Sequence, residues 1–146
     1  MTIDAETRAR ELHGAGVRAT AGGRPGEGAR DLRAGLRALG WTAGGSGDPR
    51  PPPVQPDPVR DGLAARLLLS LAHAESEQGR GPLGFRLLDL AATVMDPADE
   101  GVLLQQRGLL LLRAGRLDEA LGYLNQAEPK LAAHGHGVVL ARTLLN

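Results

Sequence analysis

The sequence contains no cysteine, which removes disulfides, thiolate metal sites and cysteine nucleophiles from consideration within it. Aromatic residues are nearly absent, with one Trp, one Tyr and one Phe, so a core has to be built from Leu, Ala and Val. Leu and Ala are strong helix formers, whereas the β-branched and aromatic residues that favour strands are scarce; an all-α protein follows. No net charge remains from 17 basic and 17 acidic residues, so nothing draws the chain as a whole to nucleic acid or to an anionic membrane. Lysine is reduced to Lys130, and the positive charge is otherwise arginine. Long apolar runs are missing too. "LLLSLA" and "GLLLLRAG" fall far short of the roughly 20 residues that cross a bilayer. The opening "MTIDAETRAR" carries acids and no apolar stretch, unlike a secretory signal. These absences together predict a cytoplasmic protein that contacts neither membrane nor nucleic acid.

What is present is repetition. "AGGRPGEGARDLRAGLRAL" from Ala21, "EQGRGPLGFRLLDLAATVM" from Glu77 and "RAGRLDEALGYLNQAEPKL" from Arg113 are versions of one phrase. They align on Gly23-Arg24, Gly79-Arg80 and Gly115-Arg116; the last two pairs lie 36 residues apart and the first two 56 apart. Eight residues after each Arg stand Leu32, Leu88 and Leu124, followed three further on by Gly35, Ala91 and Ala127. Seven before each Gly stand Gly16, Ala72 and Gly108. Two antiparallel helices approach closely where one presents a small residue and the other a large one. A period in the thirties accommodates one helix–turn–helix and marks a stacked array.

Helix punctuation agrees. Asp57-Pro58 and Asp96-Pro97 each set a capping carboxylate before a proline suited to a first helical turn, with Asp61, Asp99 and Glu100 close behind. Helices are therefore predicted to start near 58 and 97 and to end near Gly79 and Gly115. Partner helices are predicted over 82–95 and 117–133. A further helical pattern, "VVLARTLLN", follows Gly135 and Gly137. The domain plan is a first, degenerate hairpin over 3–40, a linker over 43–58 and a second array over 59–146. The linker "AGGSGDPRPPPVQPDP" has six prolines and three glycines and reads as flexible and partly polyproline-like. A Pro-rich ligand for another module is the sharper alternative for it.

The third copy, "LLQQRGLLLLRAGRLDEALGYLNQAEPKL", resembles the tetratricopeptide repeat family: Leu104, Gly108 and Leu111 fit its first helix, and Ala120, Leu124 and Ala127 its second. The second copy keeps Leu68, Leu71, Ala72, Leu88 and Ala91 but has Glu75 where that pattern is apolar and Gly84 where it has Ala. In the first copy Gly28 and Gly35 both replace Ala, and in the third Pro129 falls a little before the family's usual closing proline. The resemblance implies antiparallel helical hairpins stacked as a right-handed solenoid, with the first helices lining a concave groove for a peptide or a partner's helix. It places Arg66, Leu69, His73, Ser76 and Glu77 in that groove from the second copy, and Val102, Gln105, Leu109, Leu112 and Arg113 from the third. For Leu109 and Leu112, packing against a neighbouring helix stands as an equal reading. In wording and spacing the chain is also similar to the N-terminal repeat arrays of actinobacterial CHAT-domain proteins, a likeness that fits its Arg-, Ala-, Gly- and Pro-rich composition.

No catalytic constellation emerges. His134-x-His136 lies in a Gly-rich turn without the further ligands that a metal needs, and reads as a solvated turn. His13 and His73 are isolated on helical patterns. Asp99-Glu100 and Asp118-Glu119 stand at helix starts, and adjacent helical residues diverge by about 100°. "GGRPGEGAR" lacks the Gly-Lys-Ser/Thr ending of a phosphate loop, and no strand precedes it. Ser70, Ser76 and Thr93 show no His–Asp partners in the sequence. The expectation is an interaction scaffold without catalysis, cofactor or metal. Leu140, Leu144 and Leu145 in the last helical pattern suggest self-association; the alternative is that the chain is the sensor segment of a larger regulator whose effector domain lies elsewhere.

Overall fold

The computed structural model describes residues 4–133, so His134, His136, Leu140, Leu144 and Leu145 lie outside it. The protein is mostly helical (78%), with six α-helices and one two-stranded ladder among the described residues, in agreement with the all-α expectation. The helices are α1 (Ala5–Ala21), α2 (Pro25–Ala38), α3 (Pro58–Glu77), α4 (Gly81–Val94), α5 (Glu100–Arg113) and α6 (Leu117–Ala133). They fall into two compact units, one running to Met95 and one starting at Asp96. In the first unit α1 packs on α2, α3 on α4, and both α1 and α2 pack on α3. In the second, α5 packs on α6.

Helix starts follow the capping residues. Asp4 accepts hydrogen bonds from the Thr7 N–H (2.8 Å) and the Thr7 hydroxyl (2.9 Å), which hold its carboxyl below the usual range. Asp57 caps α3 by accepting from the N–H groups of Val59 and Arg60. Asp96 accepts from the Ala98 N–H and opens a 3-10 turn, Pro97–Asp99, that leads into α5.

The three Gly-Arg marks fold into the same turn. Gly23, Gly79 and Gly115 have φ of 83°, 84° and 78°, left-handed values that glycine adopts without steric cost. In each turn the Arg N–H reaches back to a carbonyl five residues earlier: Arg24 to Ala19, Arg80 to Glu75 and Arg116 to Leu111. The Gly N–H bonds the third residue back, to Thr20, Ser76 and Leu112. This pair of bonds closes a helix in the Schellman manner and satisfies its orphan carbonyls. The next helix starts at once, the carbonyls of Arg24, Arg80 and Arg116 accepting from Gly28, Gly84 and Ala120.

The hairpins are antiparallel, as the pairing of close approaches requires. In the first, Gly16 faces Leu32 and Gly28, while Gly35 approaches the Ala9 carbonyl. In the last, Gly108 faces Leu124 and Ala120, and Gly101 faces Leu131. Leu104, Ala127 and Leu131 form the apolar centre of the second unit, with Val102 and Tyr123 packed around it. Pro129 lies inside α6, and the helix runs past it to Ala133.

Residues 42–50 depart from the flexible linker expected across 43–58. Thr42–Ala43 (β1) pairs antiparallel with Pro49–Arg50 (β2), and Gly45–Gly47 makes the 3-10 turn between them. The reason lies beside the segment and far from it in sequence. Trp41 is buried, its N–H donating to the Leu36 carbonyl, and Pro49 is buried as well. Arg33 of α2 donates to the Gly47 carbonyl (2.9 Å), and Arg86 of α4 pairs with Asp48 (3.0 Å). Residues 51–57 carry no regular structure. The Val54 N–H donates to the Pro52 carbonyl (2.9 Å), a tight turn centred on Pro53 that departs from an extended polyproline helix.

Candidate partner-binding surface

The candidate groove residues divide between α3 of the first unit and α5 of the second. On α3, Arg66, Ser70, His73 and Glu77 follow one another at spacings of four, three and four, which sets them on one face. Arg66 and Glu77 are exposed, while Ser70 and His73 are half-buried. The His73 Nε2 lies 3.4 Å from Glu77 Oε1, one turn away. Leu69 and Ser76 are buried, so they act in packing. On α5, Leu109 and Leu112 are half-buried and Arg113 is exposed. Gln105 is 1% exposed, and neither end of its amide has a hydrogen-bond partner. Val102 packs on the α5–α6 core.

The sequence reading missed two members of this face, Ser70 and His13. His13 of α1 shares a 3.0 Å hydrogen bond between its Nε2 and the Ser70 hydroxyl, 57 residues away. Burial lowers the His13 pKa from the ordinary value of 6.5, and the Arg66 guanidinium lowers it further, so the ring is neutral at neutral pH. The signal was in the repeat register. His13 precedes the small residue Gly16 by three and Ser70 precedes Ala72 by two, so once the two first helices are aligned they become neighbours.

A serine against a neutral histidine is the start of a nucleophile–base pair. Both residues here stand mid-helix, where backbone N–H groups are committed to carbonyls one turn back, so none is free to hold a developing oxyanion. What the arrangement offers is a row of hydrogen-bonding groups with a cation at one end and an anion at the other. Among the described residues there is also no grouping of three His, Asp or Glu side chains that could hold a metal ion. No described helix is long and apolar enough to cross a membrane.

A second polar cluster, around Glu75, ties the first unit together. Glu75 is 2% exposed and stands where an apolar residue was expected. Its Oε2 accepts from Arg80 Nε at 2.6 Å, its Oε1 accepts from Gln78 Nε2 at 3.1 Å, and Arg33 Nη2 of α2 lies 3.9 Å away. The bond to Glu75 raises the Arg80 pKa above its ordinary value. Gln78 Nε2 also reaches the Pro25 carbonyl at the start of α2 (3.4 Å). The departure from the apolar pattern is thus the hub that locks the second Gly-Arg turn to the first hairpin.

Comparison with protein-family models, with curated proteins and with solved structures finds no match to this chain.

Proposed function

We propose that the protein is a non-catalytic interaction scaffold, a tetratricopeptide-like stack of helical hairpins whose first helices present a face to a peptide or to a partner's helix. One observation carries this reading: the Arg66–Ser70–His73–Glu77 row on α3, joined by His13 from α1. The hydrophobic core does not require these groups, yet they follow one helix face in register with the repeat. Such a row suits a ligand with polar main-chain groups and charges at its ends. On the second unit, half-buried Leu109 and Leu112 of α5 would offer a separate apolar contact surface. The hairpin turns, recurring with the same bonds, support the array reading, since each copy has an apolar face that a neighbouring hairpin can cover. A cysteine-free chain of this kind suits the reducing cytoplasm.

The test is a display selection of random peptides on the intact chain, followed by affinity measurements on the enriched sequences. Arg66→Glu and His73→Ala are each expected to weaken binding at least tenfold while the far-ultraviolet circular dichroism stays unchanged. Enriched peptides that bind both variants as well as the parent would show that this face is not the binding surface.

A further inference from the structure

Outside the α3 face, the first unit contains a small half-open cavity of about 50 Å³ between the end of α2 and the β1–β2 ladder. At about 10–15 Å³ per water position, it holds roughly three to five waters, the bulk of one carboxylate or phosphoryl group. Leu36, Trp41 and Pro49 are buried and supply apolar walls. Arg33, half-buried, and Arg37 and Thr42, both exposed, supply the polar ones, the two arginines one helical turn apart. Like charges at that spacing repel each other.

The neighbouring carboxylates are already engaged. Asp48 is held by Arg86 at 3.0 Å, and Glu75 by Arg80 at 2.6 Å with Arg33 at 3.9 Å. Among the described residues no carboxylate is paired with Arg37. Its place in the last turn of α2 suits the carbonyl end of the helix, but that weak, screened interaction uses none of its five N–H donors. Arg33 is fixed by its bond to the Gly47 carbonyl (2.9 Å) and by Glu75, so the cavity's shape is set before anything enters. Apolar walls lower the local dielectric and strengthen attraction to a negative group.

We infer that this cavity is a binding site for a single oxyanion, carboxylate or phosphoryl, held by charge-assisted hydrogen bonds from Arg37 and Arg33 beside the Trp41 ring. The site is separate from the α3 face and does not depend on the peptide-binding reading.

Trp41 is the only tryptophan in the chain, so fluorescence excited at the red edge of the tryptophan band, where Tyr123 does not absorb, reports on the surroundings of Trp41. Sodium acetate and sodium phosphate are titrated into the full chain at constant ionic strength, with sodium chloride as the reference. A saturable change in intensity or emission maximum is expected with at least one of the two anions and not with chloride. The apparent Kd should rise at least tenfold in Arg37→Gln and be partly restored in Arg37→Lys, with unchanged circular dichroism in both. A response to acetate alone assigns the site to a carboxylate, and a response to phosphate alone to a phosphoryl group. Responses no different from chloride, or an Arg37→Gln variant that binds like the parent, would overturn the inference.

Discussion

Leu32 fills the space that a side chain at Gly16 would need: a Cβ there would stand 2.6 Å from Leu32 Cγ and 3.0 Å from the Gly28 carbonyl. The same relationship returns in the second unit, where a Cβ on Gly108 would stand 2.7 Å from Leu124 Cγ. In both hairpins the large residue follows the small one by sixteen positions, and Leu32 is fully buried by the fit. Alanine is the better helix former by about 1 kcal/mol, so propensity alone would make Gly→Ala stabilising. Packing should reverse the sign. Gly16→Ala and Gly108→Ala are each expected to destabilise the protein by about 1–3 kcal/mol through overpacking. Gly122→Ala, on α6 with nothing within 4 Å of the added Cβ, should stabilise it by about 0.5–1 kcal/mol. Urea unfolding midpoints would check all three, and the prediction fails if the two buried glycines behave like Gly122.

The buried carboxylate of Glu75 and its exposed partner Arg80 should respond unequally to truncation. The Glu75 side chain is 3% exposed and that of Arg80 53%. Removing Arg80 leaves a buried carboxylate with Gln78 and a 3.9 Å approach from Arg33. Removing Glu75 leaves a guanidinium that water can solvate. Arg80→Ala is therefore expected to cost about 2–4 kcal/mol. Glu75→Leu, which restores an apolar side chain where the repeat pattern has one, should cost about 1 kcal/mol. Chemical denaturation of the two variants would decide the order, and a larger loss in Glu75→Leu would mean that the carboxylate acts through more than Arg80.

Helix placement was legible because its determinants are local. Asp57-Pro58 caps α3, and the Gly-Arg pairs close α1, α3 and α5 where the repeat set them. The Gly16–Leu32 and Gly108–Leu124 contacts were also implied by the repeat offsets, since a hairpin with a fixed turn brings fixed positions together. The β1–β2 ladder was not legible. Two residues per strand carry no periodicity, and the segment is held by Arg33 and Arg86, which are 14 and 38 positions away from their partners. The polar residues misled for a similar reason. Glu75 looked like a flaw in the pattern, and His13 looked isolated, until Arg80, Arg33 and Ser70 were brought beside them. Arg66, His73 and Glu77 of the α3 row were among the residues assigned to the groove from the sequence, but Ser70 was not, and only packing sets the buried Leu69 and Ser76 apart from them.

Pro129 should be a removable weakness in α6. It lacks the N–H that would bond one turn back, and its ring crowds the carbonyl of Asn125, yet the helix continues to Ala133 because Ala127 and Leu131 on either side are fully buried. Pro129 itself is exposed. Pro129→Ala should therefore stabilise the protein by about 1–3 kcal/mol with no packing loss, read as a higher Tm. An unchanged Tm would show that the end of α6 is already frayed under the conditions of the measurement.

Acid should loosen the contact between α1 and α3. The His13 pKa lies below 6.5 in the folded protein because burial disfavours the imidazolium and Arg66 adds repulsion. In the unfolded chain the ring titrates near 6.5. The unfolded state therefore binds the proton more readily, and stability rises with pH across this range. The contribution from His13 is fully present above about pH 6.5 and is lost as the pH falls toward the depressed folded value. Protonation also turns Nε2 into an obligate donor, so the Ser70 hydroxyl can then only accept. Urea midpoints of the parent and of His13→Gln, compared between pH 7.5 and pH 5, should separate this effect from the carboxylates, which titrate in both. The parent should lose more stability on acidification than the variant. Parallel losses would mean that the His13–Ser70 bond does not couple protonation to folding.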